Sequence, residues 1–255
     1  MAGWAAMYNH RGVAETYDEN RFWPYDDPVD RVSRLARALR VRENRTLLDV
    51  GCGTGYYLTG LMTETGCCGV GVDPSEAMVN VARRRAAGLD VRVGSAEQLP
   101  LSDGTVDAVL CHHAAHHFGD VPRFLREARR VLNAGGRIAV VTVSHEQMRA
   151  HPLYRFFPEI LTLDCTRIPD TSQLRQWMEE AGFARVDVQG VDRSCVGLCW
   201  DTVLRFVERK FMSPMRLLPA DEFERASRAF EHRVRASGLD ECPAESYSVT
   251  SGTAE

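Results

Sequence analysis

The chain has 255 residues, enough for one well-buried α/β domain with insertions, and we expect a single domain over residues 1–255. Its net charge of −4 argues against a dedicated binder of nucleic acid or of an anionic membrane, so the expected partner is a small molecule. No apolar run approaches the roughly 18 residues of a membrane span, and the first residues lack a signal-peptide pattern. These features predict a cytoplasmic protein, either a monomer or a homodimer.

Eight cysteines could suggest a disulfide framework, but the expected compartment keeps thiols reduced. Cys195 and Cys199 form a C-x3-C pair without a second pair at zinc-site spacing, so we predict no metal. Half of the cysteines fall in predicted core strands or turns, where we expect small buried thiols: Cys52, Cys67, Cys68 and Cys111.

In chain order, strands and helices alternate in a βαβ rhythm, which is typical of a parallel sheet covered on both faces. A helix with apolar residues at Val32, Leu35, Ala36 and Leu39 precedes the first strand. We predict a doubly wound sheet of about seven strands, mostly parallel, with an antiparallel last strand. The strands are expected at 47–50, 69–72, 91–93, 106–111, 138–143, 184–188 and 247–250. Right-handed crossovers place the first strand beside the fourth, with a ligand crevice at their carboxyl ends.

The first strand runs into Gly51, Gly53 and Gly55, and Asp73 follows at the end of the second strand. Glycines permit a tight turn and a close approach of backbone to ligand, and the next helix offers unpaired N–H groups. A carboxylate at the position of Asp73 can accept both hydroxyls of a ribose. Tyr56 replaces the third glycine of the dinucleotide pattern G-x-G-x-x-G, which favours a nucleoside cofactor without a pyrophosphate.

With these elements placed, the chain resembles class I S-adenosylmethionine-dependent methyltransferases, in particular the small-molecule group that includes the ubiquinone and menaquinone biosynthesis methyltransferases. That resemblance implies a Rossmann-like fold, S-adenosyl-L-methionine as cofactor, and methyl transfer to an oxygen, nitrogen or carbon of a small molecule. The matching segments are 47–55, 71–78, 96–101, 106–109, 116–118, Glu127 and 130–136.

The resemblance also implies which residues hold the cofactor. Gly51, Cys52 and Gly53 would admit its methionine part, with Asp49 near the amino-acid end, and Asp73 would bind the ribose. The remaining implied cofactor contacts are Tyr17, Pro74, Met78, Ser95, Ala96, Glu97 and His112. The family often has an acidic residue where this chain has Ser95, and a hydroxyl accepts more weakly from the adenine amine.

Four of the eight histidines lie between 112 and 117, directly after the fourth strand. His117 and His113 are the candidate catalytic residues, because an imidazole near neutral pH can act as a general base. Two alternatives remain: the histidines shape the pocket and contact the cofactor, or they bind a metal.

The first 30 residues are too aromatic for a simple disordered tail, and we predict that segment 1–30 forms a lid over the cofactor. Tyr17 could cover the methionine end and Arg21 could pair with a carboxylate. Segments 144–170 and 195–240 are predicted to form a substrate cap, although their aromatic content is equally compatible with simple packing.

Three functions from different classes fit these patterns. The first is a small-molecule methyltransferase. The second is an enzyme that uses the same cofactor for another reaction, such as cyclisation of its side chain. The third is a non-catalytic binding protein, which the intact glycine turn and Asp73 argue against. Arsenic methylation is a remote fourth, because Cys67 and Cys68 begin a core strand.

Overall fold

The computed structural model describes residues 8–21, 28–86, 88–193, 200–237 and 245–255. Seven strands are numbered in chain order: β1 (Thr46–Val50), β2 (Cys68–Asp73), β3 (Asp90–Val93), β4 (Val106–His112), β5 (Leu132–Thr142), β6 (Phe183–Arg193) and β7 (Glu245–Ala254). The α-helices of the described residues are α1 (Arg11–Glu15), α2 (Tyr17–Arg21), α3 (Pro28–Leu39), α4 (Tyr56–Thr65), α5 (Glu76–Arg85), α6 (Val121–Val131), α7 (His145–Ala150), α8 (Pro152–Phe156), α9 (Pro158–Arg167), α10 (Thr171–Glu180), α11 (Trp200–Glu208) and α12 (Ala220–Ser237). Two short 3-10 helices cover Ala115–His117 and Ser213–Arg216.

The strands form one mixed sheet in the order β3-β2-β1-β4-β5-β7-β6. Strands β1 to β5 pair in parallel, and β7 runs antiparallel between β5 and β6. The predicted doubly wound sheet and the neighbouring positions of β1 and β4 are therefore confirmed. Strands β5, β6 and β7 extend well beyond their predicted bounds. For β7 the reason is that residues 245–254 are rich in serine, threonine and glycine and carry little apolar signal.

Apolar side chains cover both faces of the sheet. Leu47 packs into the cluster under α3, α4 and α5, whereas its neighbour Leu48 packs into the cluster under α6 and α10. Successive side chains of a strand point to opposite faces, so a continuous apolar run such as that of β1 is buried on both sides. The two clusters hold the sheet in place between its helices, and with it the carboxyl ends of the strands.

A third apolar cluster joins helices α7, α8, α9, α11 and α12. It contains a buried polar group, since the Tyr154 hydroxyl donates to Asp164 at 2.9 Å and Arg167 Nε donates to the same carboxylate at 2.7 Å. Asp164 is buried, and these two donors compensate for its lost hydration. These helices therefore share their own core beside the sheet.

Three of the four cysteines expected as buried thiols are buried, but Cys68 is exposed. The expectation for Cys68 was wrong because it is the first residue of β2, where the sheet edge meets solvent. Cys195 and Cys199 lie outside the described residues. Across the helices that the structure describes, none combines the length and the apolar character needed to span a bilayer.

Candidate functional site

The turn after β1 requires its glycines. Gly51, Gly53 and Gly55 all have left-handed φ values, of 73°, 53° and 73°. A Cβ on Gly51 would lie 2.4 Å from the Cβ of Ala114, whereas a Cβ on Gly53 would meet nothing within 4 Å. The Gly51 amide donates to the Val72 carbonyl at 2.8 Å, which ties the turn to β2. The turn thus brings bare backbone to the crevice between β1 and β4.

Asp73 lies at the carboxyl end of β2, facing this turn. Its Oδ2 accepts from the Gly53 amide and its Oδ1 from the Ser75 amide, both at 2.9 Å. Burial raises the pKa of Asp73, and the two amide donors partly offset that effect. The carboxylate is therefore held in one orientation at the edge of the turn.

Asp49 lies one residue before the end of β1 and is 2% exposed. Burial, followed by the nearby charge of Asp73, raises the pKa of Asp49 to about 8. Within the part of the chain that the structure describes, its Oδ1 has no hydrogen-bond partner. A cation bound at this carboxylate would stabilise its charged form and would give Oδ1 a hydrogen-bond partner.

A cavity of about 100 Å³ opens at the glycine turn and the end of β2. Its other walls are residues 112–118, called the histidine segment below, and the N-terminal segment. Its lining includes nine of the residues predicted from the sequence. These are Tyr17, Gly51, Gly53, Asp73, Pro74, Met78, His112, His113 and His117. The structure therefore brings most of the predicted cofactor contacts and both candidate catalytic histidines to one place.

The histidine segment bends sharply into this cavity. The His112 ring stacks on Tyr57 with ring centres 3.7 Å apart. His113 has a left-handed φ of 49°, which is strained for a residue with a Cβ, and its amide donates to the Val141 carbonyl at 3.0 Å. Such strain is often retained at functional sites. Among the described residues, no group of three or more potential metal ligands is close enough to hold an ion.

His117 contacts the N-terminal segment. The Tyr8 hydroxyl lies 3.4 Å from His117 Nε2, and the two rings meet edge to face with centres 5.3 Å apart. Tyr8 also meets the edge of Tyr17, with ring centres 6.0 Å apart. Aromatic side chains of the N-terminal segment, Tyr8 and Tyr17, therefore form part of the cavity wall.

Five predicted cofactor residues are not in the cavity lining: Asp49, Cys52, Ser95, Ala96 and Glu97. Asp49 and Cys52 are buried beneath the turn. The Glu97 carboxylate is engaged elsewhere, because it accepts from the Gly119 amide at 2.7 Å and from the Ser95 hydroxyl at 2.8 Å. Their contacts with a cofactor stay predictions. The side chain of Arg21 lies outside the described part of the molecule.

Four lining residues were not among the individually predicted site residues, although Tyr8 lies in the predicted lid: Tyr8, Ser75, Ala114 and Phe118. Ser75 was predicted only as a helix cap, and it does accept from the Met78 amide. Phe118 and Ala114 belong to the histidine segment, and the available signal for both was that this segment directly follows β4. Tyr8 had no local signal beyond the aromatic content of its segment.

Comparisons with known proteins agree with this geometry. The family described as Methyltransferase domain matches residues 48–140. The chain is 33% identical over 175 residues to the ubiquinone/menaquinone biosynthesis C-methyltransferase UbiE of Acidiphilium cryptum. This match covers 59% of this chain and 70% of that protein. It is 34% identical over 134 residues to the methyltransferase YcgJ of Bacillus subtilis, covering 50% of this chain and 51% of that protein.

Among solved structures, a protein of Anabaena variabilis described as a methyltransferase from an antibiotic biosynthesis pathway superimposes with a TM-score of 0.74 at 22% identity. The match covers 88% of this chain and 97% of that one. At this identity the likeness shows the fold. The chain spans 33% to 55% of the length of three of its curated relatives.

Proposed function

The chain belongs to the S-adenosylmethionine-dependent methyltransferases, and from this we propose that it transfers the methyl group of S-adenosylmethionine to an oxygen, nitrogen or carbon of a small molecule. The observation that carries the proposal is the meeting of Asp73 with the glycine turn at the crevice between β1 and β4. This arrangement offers a carboxylate and open backbone to one ligand.

The residues of this crevice fit the cofactor. Asp73 would accept the ribose hydroxyls, and Pro74 and Met78 would flank the adenine as apolar surfaces. Gly53 leaves open space that a side chain would fill, Gly51 lets Ala114 approach the turn closely, and the buried Asp49 carboxylate suits the ammonium of the methionine end. When bound, the cofactor supplies a methyl group on a sulfonium, whose departure leaves a neutral sulfur.

His117 is proposed as the general base where the acceptor carries a proton. Its ring lines the cavity beside the candidate cofactor residues, and Tyr8 holds its Nε2 edge. His113 is the second candidate, since it lines the same cavity and has a strained backbone. Positioning of the two reactants supplies most of the rate enhancement, and a general base increases the rate by a further factor of about 10²–10⁴.

The acceptor is proposed to have hydrophobic area. Tyr8, Tyr17 and Phe118 line the cavity. We propose that segment 1–30 is the lid and that segments 144–170 and 195–240 form the substrate cap of a single domain. The shared core of helices α7, α8, α9, α11 and α12 supports the cap, since it holds these helices together beside the sheet.

The test is a product assay with S-adenosylmethionine labelled at the methyl group and a panel of phenols, hydroquinones and amines. Transfer predicts a labelled acceptor together with S-adenosylhomocysteine in equal amounts. Release of methylthioadenosine instead would indicate cyclisation of the side chain. Lack of any turnover across a broad panel, with no cofactor binding, would favour a binding protein.

The base is tested with His117→Gln against His116→Gln, a neighbouring histidine outside the cavity lining. His117→Gln should lower kcat by about 10²–10⁴-fold and leave the affinity for S-adenosylhomocysteine within about twofold. Equal kcat values for the two variants would contradict the assignment of His117 while leaving methyl transfer itself intact.

A further inference from the structure

Three side chains join the N-terminal helices to the candidate cofactor site in a closed triangle. The Thr54 hydroxyl donates to Asp18 Oδ1 at 2.6 Å. Arg85 donates through Nη2 to Asp18 Oδ2 and through Nε to the Thr54 carbonyl, the latter at 2.9 Å. Thr54 lies in the glycine turn between Gly53 and Gly55, so the triangle fastens α2 directly to the turn. We name this set of Asp18, Thr54 and Arg85 the clasp.

The N-terminal segment of residues 8–18 is also bonded to the rest of the molecule at Tyr8, its first residue. The Ser75 hydroxyl donates to the Tyr8 carbonyl at 2.9 Å, and Ser75 follows the Asp73-Pro74 pair at the end of β2. Residues 8–18 are therefore tied to both loops that would hold the cofactor. Tyr8 and Tyr17, which lie between these anchors, line the cavity.

The cavity beneath the N-terminal segment is small for a cofactor, and a second cavity of about 570 Å³, which also has Pro74 in its lining, lies against Asn9, Ala14 and Glu15 of the same segment. Pockets for small molecules and cofactors usually have volumes of about 300–1,000 Å³, and the first cavity encloses about 100 Å³. The sheet edge and the glycine turn are held by backbone hydrogen bonds and buried apolar side chains. Residues 8–18 are held by the side-chain bonds of Asp18 and Ser75 and by the burial of Ala14, whereas backbone hydrogen bonds hold the glycine turn, so this segment is the wall that can open at lowest cost.

Resting on the proposed function, we propose that Asp18 is a positioning residue whose clasp gates exchange of the nucleoside cofactor. While the clasp is closed, Tyr8 and Tyr17 cover the cavity. Its opening frees α2 from the glycine turn and lets the cofactor enter or leave. Thr54 is 2% exposed, so its bond to Asp18 carries most of the effect. The Arg85–Asp18 pair, 28% exposed on each side, contributes little.

The test measures association and dissociation rates of S-adenosylhomocysteine on the immobilised full-length protein by surface plasmon resonance. Asp18→Ala should raise both rates about tenfold, the worth of one charge-assisted hydrogen bond of about 1.4 kcal/mol. Asp18→Asn keeps an uncharged oxygen acceptor for Thr54 and should raise both rates by only about threefold. Glu19→Ala is the matched control, since Glu19 is an exposed carboxylate on the same helix.

Each outcome is distinct. A parallel rise of both rates in Asp18→Ala, with Glu19→Ala unchanged, supports the gate. A rise of the dissociation rate alone overturns it, because Asp18 would then stabilise only the bound state. Equal rates in Asp18→Ala and Glu19→Ala overturn the role of Asp18 altogether. If the folded wild type does not bind S-adenosylhomocysteine, both the gate and the proposed function are overturned. The first three results leave the proposed function standing.

Discussion

Replacing Gly51 with alanine should destabilise the protein more than the same change at Gly53. Both positions have left-handed backbone, which costs a residue with a Cβ about 1–2 kcal/mol. Only at Gly51 does the new methyl meet another group, the Cβ of Ala114 at 2.4 Å. The two loops must then separate by about 1 Å, and overpacking of this kind costs about 1–3 kcal/mol.

These contributions add up to about 2–5 kcal/mol for Gly51→Ala and about 1–2 kcal/mol for Gly53→Ala. For a protein of this size, 1 kcal/mol lowers the melting temperature by about 2–4 °C. Gly51→Ala should therefore lower it by about 4–20 °C, and Gly53→Ala by at most about half of that. The measurement is thermal and urea unfolding of the purified variants, followed by circular dichroism.

The double variant Gly51→Ala/Ala114→Gly separates strain from collision. Removing the Ala114 methyl should recover the steric part, so the double variant should cost about 1–3 kcal/mol less than the sum of the single changes. Additive costs within about 0.5 kcal/mol would refute the close approach of the two loops. Equal destabilisation by Gly51→Ala and Gly53→Ala would refute it as well.

Three further predictions concern buried or paired carboxyl groups. Because the raised pKa of Asp49, about 8, exceeds its unfolded value of 3.8, the wild type should lose stability as pH rises from 4 to 8. Asp49→Asn should remove this loss and stabilise the free protein at pH 7 by about 2 kcal/mol in urea unfolding, and a lower midpoint would contradict it. Tyr154→Phe removes a donor to the buried Asp164 and should cost about 1–3 kcal/mol in the same assay, whereas a change below about 0.5 kcal/mol would contradict that bond. A hydrogen bond from Arg130 lowers the pKa of Glu127, so its stabilisation is present above the unfolded value of 4.5 and is lost as pH falls through the lower folded value. Glu127→Gln should therefore cost about 1–2 kcal/mol at pH 7 and flatten the acid limb of the stability curve, and an unchanged acid limb would contradict this assignment.

The glycine turn, Asp73 and the adjacency of β1 and β4 could be predicted from the sequence because local rules determine them. A left-handed turn needs glycine, a parallel strand ends at the crevice, and crossovers have one hand. The glycine and strand-end rules act within a βαβ unit of about 30 residues, whereas the crossover rule also orders strands that are farther apart, such as β1 and β4. The cofactor was then identified from the resemblance of these motifs to a known family.

Contacts across long stretches of chain could not be predicted in this way. Tyr8 reaches His117 across 109 residues, and nothing in either segment specifies the other. The Glu97 carboxylate was expected among the cofactor contacts, and nothing in the sequence indicates that the Gly119 amide, 22 residues away, donates to one of its oxygens. The hydrogen-bond partner of a side chain depends on the tertiary structure, whereas the sequence shows only that a carboxylate is present.

The most direct test of the central claim is calorimetric titration of S-adenosylmethionine and S-adenosylhomocysteine into the wild type, Asp73→Ala and Asp201→Ala. Asp201 is an exposed carboxylate on α11 and serves as the matched control. Loss of two hydrogen bonds to a charged acceptor predicts at least about 100-fold weaker binding for Asp73→Ala, with Asp201→Ala like the wild type. Equal affinities for all three proteins, or no binding by the folded wild type, would contradict the assignment of the glycine turn and Asp73 as the cofactor site.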